Sequence, residues 1–222
     1  MIIHPAEQGS AGWHMARLAI PTASNFDRIV TPRGKLSAQR DGYLFELVAE
    51  WLLGHPLEDT LEDNYWIARG HELEPQARAY YALQRDIEPT PCGFIYRDET
   101  RLCGASPDWL VGEAGCAEVK APKASTHVGY LLGQAVPDKY IGQVQGQLYV
   151  TGRAWCDWMS FYPGLPPVIL RTTPDPAYQA ALAESIPAFT QDLLAARARL
   201  AAHKMESPAQ VTERRPVSLL GI

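Results

Sequence analysis

Apolar side chains first recur at helical spacing between residues 37 and 53, where Tyr43, Leu44, Leu47, Val48, Trp51 and Leu52 share one face. Ser37 ahead of that run and Gly54 just past it suit the two ends of a helix. A second helical stretch is predicted from about Glu72 to Arg85. Proline is tolerated only in a first turn, so Pro75 sets Glu74 at the amino-terminal end of that helix. Strands are predicted at 92–97, 102–110 and 116–121, with Gly112 and Gly115 marking the turn between the last two. Two registers are open for that hairpin. If residues 111–115 form the connection, Asp108 lies opposite Glu118; a connection one residue shorter sets Trp109 there instead. Pro137 and Asp138 open a further helix that carries Tyr140, Gln143 and Gln147 along one side. Alternation at Trp155, Asp157, Met159 and Phe161 predicts a strand, and 168–172 another. An alanine-rich helix follows over 176–202, with a kink expected at Pro187.

Helices, then strands, then helix, strands and helix describe a mixed α/β or α+β chain. No repeat or linker interrupts it, so one domain is expected over 1–206, with a loose polar tail at 207–222. A length of 222 residues and 46% hydrophobic content suit one globular core. No signal-peptide pattern and no long apolar run occur, so a cytoplasmic protein without a membrane segment is expected. Cys92, Cys103, Cys116 and Cys156 are spaced as neither a zinc set nor a disulfide framework, and read as reduced core residues. The net charge of −5 weighs against a generic nucleic-acid binder. It does not weigh against an enzyme that binds cations, because metal ligands are themselves acidic.

The candidate chemistry lies in Ser106-Pro107-Asp108 and Glu118-Val119-Lys120. On a strand, Glu118 and Lys120 point to one face and Val119 to the other. Two carboxylates suit a hard divalent cation, and a neighbouring lysine can orient water or neutralise charge on a phosphate. Of the five lysines, only Lys120 has an acidic residue two positions before it, which makes the pattern less accidental than its length suggests. The bland alternative is a hairpin bearing a surface ion pair.

Further blocks carry a resemblance. They are Glu7-Gln8-Gly9, Trp13-His14-x-x-Arg17-Leu18 and Thr22-Ala23-Ser24, then Gly70-x-x-x-Glu74-x-x-Ala77-Arg78. Ile95-Tyr96-Arg97-Asp98-Glu99 leads into the two motifs above, and Tyr140-x-x-Gln143-Val144-Gln145 follows, ending at Val150-Thr151. In this order, from about Glu7 to about Ala202, the chain resembles the lambda exonuclease (YqaJ viral recombinase) family of PD-(D/E)xK nucleases. The resemblance implies a restriction-endonuclease-like core, a mixed central sheet flanked by helices. It implies a Mg²⁺-dependent 5′→3′ exonuclease, with Mn²⁺ substituting, that degrades one strand of linear double-stranded DNA. It further implies a homotrimer and a single-strand-annealing protein as partner.

The implied roles fall residue by residue. Asp108, Glu118 and the Val119 carbonyl would hold metal, and Lys120 would orient the attacking water. Glu74 would support that site from its helix, and Gln143 would hold the water or a metal ligand. Arg17, Ser24 and Ser106 match positions that hold a 5′-phosphate. Ile67 would be the wedge that parts the terminal base pair, and Arg33 a groove contact. Gln147 reads as a solvated helix face, Trp13 and Tyr140 as packing residues, and His14, His71 and His127 as no ligand set. Two rival readings stand beside this one: a structure- or sequence-specific endonuclease of the same metal chemistry, and a non-catalytic DNA-binding or assembly module.

Overall fold

The computed structural model describes residues 1–57 and 61–206, with the side chains of 61–64, 67 and 203–206 left out. The tail at 207–222 and the Ile67 side chain therefore lie outside the described residues.

The architecture is built around a hairpin. Strands β5 (Trp109–Val111) and β6 (Gly115–Lys120) pair antiparallel with Trp109 against Ala117, Leu110 against Cys116 and Val111 against Gly115. Continued by one residue, that register sets Asp108 against Glu118, the first of the two alternatives. β6 then pairs in parallel with β7 (Trp155–Ser160), and β7 antiparallel with β8 (Val168–Thr172). A parallel pair requires a crossover. Here the crossover is made by helices α4 (Ala124–Gly133) and α5 (Asp138–Thr151). With β2 (Thr90–Pro91) on the far edge, the main sheet has the order β2-β5-β6-β7-β8. A small second sheet joins β1 (Ile2–Ile3), β3 (Ile95–Tyr96) and β4 (Gly104–Ala105).

Strand alternation divides the core into two layers. On one face Trp109, Ala117 and Met159 pack with Leu73, Ala77 and Tyr81 of α3 (Leu61–Arg85). On the other, Leu110, Cys116 and Trp158 pack with Val144 and Leu148 of α5, backed by α2 (Arg40–Leu53) and α6 (Pro176–Glu206). Glu118 shares the face of Cys116 and so points at α5.

Several elements depart from the sequence expectation. The strand predicted over 102–110 is two strands in two different sheets, divided at Ser106-Pro107-Asp108. Pro107 has no N–H to give a ladder, so the chain leaves one sheet and enters the other at that point. Of the stretch 92–97 only Ile95–Tyr96 is strand, as β3, and the edge strand β2 lies before it. Helix α3 begins at Leu61 rather than near Glu72, so Pro75 lies inside it and Glu74 is mid-helix rather than at its start. Pro75 is exposed, and its ring removes one helical bond at the rim, while Leu73, Ala77 and Tyr81 keep the helix on the sheet. Ser37 does not cap α2. That helix starts at Arg40, and the Ser37 hydroxyl accepts instead from the Gln39 N–H at 3.3 Å.

Helix α1 (Ala11–Arg17), a 3-10 helix over Ala23–Arg28 and α4 have no counterpart in the apolar pattern. α1 buries none of its residues, so it leaves no periodic trace.

One packing detail positions the site. Gly142 and Gly146 lie a turn apart on α5, facing the 3-10 helix. A Cβ at Gly142 would come within 2.8 Å of Asp27, and one at Gly146 within 2.8 Å of Phe26 and 3.0 Å of Ala23. The helix can approach that closely only because both positions lack a side chain.

Candidate active site

A cavity of about 470 Å³ opens between α3, α5 and the Ser106-Pro107-Asp108 crossover. It brings together Asp108, Glu118, Val119, Lys120, Glu74 and Gln143, and on the same wall Arg17, Ser24 and Ser106. Its volume falls in the usual range for a small-molecule site.

Glu118 sits at its floor, only 3% exposed. Its Oε1 accepts from Lys120 Nζ at 2.5 Å and from Gln143 Nε2 at 2.6 Å, and its Oε2 accepts from Gln147 Nε2. Gln147 is 1% exposed, and its carbonyl oxygen accepts from Cys156 Sγ at 3.4 Å, which turns its amide N–H₂ towards the carboxylate. Gln147 is thus no solvated face, and it is the chief residue that sequence reasoning missed. The i, i+4 relation to Gln143 was the available signal.

Asp108 accepts the Val119 N–H on Oδ2 at 2.6 Å. Burial pushes its carboxyl well above the usual aspartate range, and the charge of Glu118 adds to the rise while Lys120 opposes it. The charge of Glu74 acts in the same direction as that of Glu118. Glu74 accepts from Trp109 Nε1 at 3.0 Å, which fixes it on the cavity wall, whereas Arg78 turns away to Glu88. The Lys120 ammonium is lowered by burial, but Glu118 and Asp108 outweigh that effect and hold it above the ordinary lysine value. It also lies 5.2 Å from the centre of the Tyr140 ring, so Tyr140 packs beside that ammonium.

Three carboxylates therefore share this cavity with the Lys120 ammonium and the Arg17 guanidinium, and a hard cation suits the remaining imbalance. Among the described residues no three His, Cys, Asp or Glu side chains converge as a metal set. A cation here would draw on Asp108 and Glu118 together with a backbone oxygen, for which Val119, also on the cavity wall, is the candidate.

The second half of the cavity is held by tryptophan. Trp13 Nε1 donates to Ser106 Oγ at 3.0 Å, and the Arg17 guanidinium stands 4.4 Å over the Trp13 ring. Trp13 thus joins two of the implied phosphate ligands, a positioning role beyond packing. Ser24 shares a hydrogen bond of 3.1 Å with Thr22 at the head of the 3-10 helix. Gln8 pins the crossover by donating to the carbonyls of Cys92 (3.0 Å) and Pro107 (2.7 Å).

Arg33 and His127 stay apart from this cavity. Arg33 is exposed on a turn closed by the Thr31 N–H to Lys35 carbonyl bond of 2.7 Å, away from the cavity wall. His127 is buried with its ring nitrogens against Ser160 Oγ and the Pro166 carbonyl, and serves packing. His71 does line the cavity. All four cysteines are free; Cys92 is partly buried and the other three are buried.

The mixed sheet, the helices on both faces and the Asp108/Glu118/Lys120 geometry are those of a PD-(D/E)xK core. Comparison with known proteins narrows this further. The YqaJ-like viral recombinase domain matches residues 12–154, most of the chain, and the protein belongs to that family. Among solved structures, an alkaline exonuclease (LHK-Exo) from Laribacter hongkongensis superposes with a TM-score of 0.78 at 32% identity, covering 89% of this chain and 99% of that one. The same enzyme in complex with dAMP matches equally. A phage-related exonuclease from Haemophilus somnus 129PT, at 14% identity and a TM-score of 0.64, covers 82% of this chain and 96% of that one and shares the fold. An uncharacterized protein, R354, of Acanthamoeba polyphaga mimivirus is 26% identical over 110 residues, which are 44% of this chain and 20% of that protein.

Proposed function

We propose that the protein is a Mg²⁺-dependent exonuclease that degrades one strand of linear duplex DNA from its 5′ end, leaving a 3′ single-stranded tail for annealing. One observation carries this reading above the others. The Asp108–Glu118–Lys120 group and the Arg17–Ser24–Ser106 group line one cavity, so a strand end gripped by the second presents a phosphate to the first.

Asp108, Glu118 and the Val119 carbonyl would hold the metal, which when bound supplies Lewis-acid polarisation of the phosphate and a more acidic water. Lys120 holds a fixed positive charge where the phosphorane gains negative charge, without reorganising. Gln143 and Gln147 fix both oxygens of Glu118, so the carboxylate is already oriented before substrate arrives. Arg17 offers a charge-assisted, directional contact to a terminal phosphate, and Ser24 and Ser106 offer hydroxyl donors.

With a net charge of −5, a monomer would hold a polyanion weakly. A homotrimeric ring that encircles the duplex removes that difficulty, and a single-strand-annealing protein is the partner that the product calls for.

The test is digestion with Mg²⁺ of three substrates: linear duplex with 5′-phosphate, the same with 5′-hydroxyl, and closed circular duplex. Fastest loss of the phosphorylated ends, with circles intact, is expected. Arg17→Ala should remove most of the preference for phosphate, a change of roughly tenfold or more for a charge-assisted contact. Cleavage of closed circles would point instead to an endonuclease. Absence of cleavage on every substrate would leave the binding-module reading.

A further inference from the structure

A second pairing of cation and aromatic ring borders the same cavity and has no role in the scheme above. Trp66 on α3 lines the cavity wall. Lys123, three residues beyond Lys120 and not itself part of that wall, places its Nζ 5.6 Å from the centre of the Trp66 ring. Tyr65 meets Trp66 edge-on at 5.0 Å. One turn along α3, the Arg69 guanidinium lies 5.3 Å from the centre of the Tyr162 ring, and the neighbour of that tyrosine, Phe161, also lines the cavity.

Packing does not account for Trp66. Among the described residues it belongs to neither of the two apolar cores, although tryptophans 109 and 158 anchor one each. It is held on a helix rather than a loop, with its ring steadied by Tyr65 and bordering a space that ends in carboxylates. An aromatic ring at that place gives the face of a nucleobase a surface to lie on. The two cations, Lys123 and Arg69, stand beside that wall, where phosphates would pass.

We propose that Trp66 is a stacking platform for an unpaired nucleobase of the strand being cut, with Lys123 meeting the phosphate next to it. The inference rests on the nuclease reading and adds a second grip to the Arg17 side. The carboxylates then lie between two cation–aromatic rims, Arg17 on Trp13 and Lys123 on Trp66. Stacking on an aromatic face tolerates every base, which suits an enzyme that must accept any sequence.

The experiment measures binding by fluorescence anisotropy to 5′-phosphorylated duplexes with a short unpaired 5′ end, with Ca²⁺ in place of Mg²⁺. One probe carries bases throughout that end and the other is abasic there. Wild type is expected to prefer the base-bearing probe by roughly tenfold, the scale of one base stacked on an aromatic side chain. Trp66→Ala should bind both probes alike, at the level of wild type on the abasic one, and Trp66→Phe should recover most of the preference. Thermal melts establish that each variant is folded, and a variant that fails to fold is replaced by Trp66→Leu. Wild type that digests linear duplex yet binds the two probes equally would overturn the platform alone. Equal weakening of both probes by Trp66→Ala would overturn it as well. A wild type that neither binds nor digests any duplex would overturn the nuclease reading and the platform together.

Discussion

Asp108→Asn is expected to abolish nucleolytic activity and to make the metal-free protein more stable. The activity loss follows from removing an anionic oxygen that the proposed reaction assigns to the metal, and at least roughly 10²–10³ in rate is expected from losing one preorganised electrostatic group. The stability gain follows from the environment of that carboxyl. Burial first, and then the charge of Glu118, raise it well above the ordinary value of 3.8. An acid whose pKa is raised on folding binds protons more tightly in the native state. Its penalty is absent below the unfolded value of 3.8, grows as pH climbs towards the folded one and is constant above it. Asparagine keeps an oxygen to accept the Val119 N–H and carries no charge, so it removes the penalty. In EDTA the variant should melt higher than wild type by about 2–4 °C for each kcal/mol relieved. The gap should widen as pH rises from 4 to 8. A gap that stays constant or narrows over that range would falsify the assignment of strain to this carboxyl.

Lys120→Met is expected to have the same effect on activity and the opposite effect on stability. Methionine preserves most of the stem that packs beside Tyr140 but leaves the Glu118 carboxylate, 3% exposed, without the charge of Lys120. Gln143 and Gln147 still donate to it, yet neither carries charge, and its repulsion with Asp108 is no longer offset. Removing one partner of a fully buried ion pair costs about 3–5 kcal/mol. The Lys120 side chain is 24% exposed, so a lower figure of about 2–3 kcal/mol applies here. Urea titrations in EDTA should show this loss, and the double variant with Asp108→Asn should recover part of it. Full stability in the single variant would mean that Lys120 contributes no net charge compensation. Turnover on linear duplex should fall by roughly 10³ with folding intact at low temperature.

The core of this site was legible in the sequence because its chemistry is local. Glu118 and Lys120 are two apart on one strand, and the strand period alone sets them on one face. The register of Asp108 followed from turn length, which glycines at 112 and 115 bracketed without deciding. What escaped was everything that depends on distant packing. Gln147 looks like a polar surface residue until α5 is laid against β6, and only then does its amide meet Glu118. Trp13 and Ser106 are far apart in the chain and meet through a helix that buries nothing, so no periodic signal marks it. Pro75 misled the reading of α3, because a proline rule based on isolated helices yields to apolar packing of Leu73, Ala77 and Tyr81 on the sheet. The break of the predicted 102–110 strand at Pro107 could have been read from the missing N–H.

Helix α5 touches both ends of the cavity at once. Its glutamines hold the carboxylate, and its glycines seat the 3-10 helix that carries Ser24. In the proposed reaction, the interval between the place where a chain end is gripped and the place where it is cut is therefore spanned by one helix, like the fixed stop on a saw bench. Such a cutter measures its offcuts by geometry and not by composition. Within the proposed reaction, every product should have the same length whatever bases it contains.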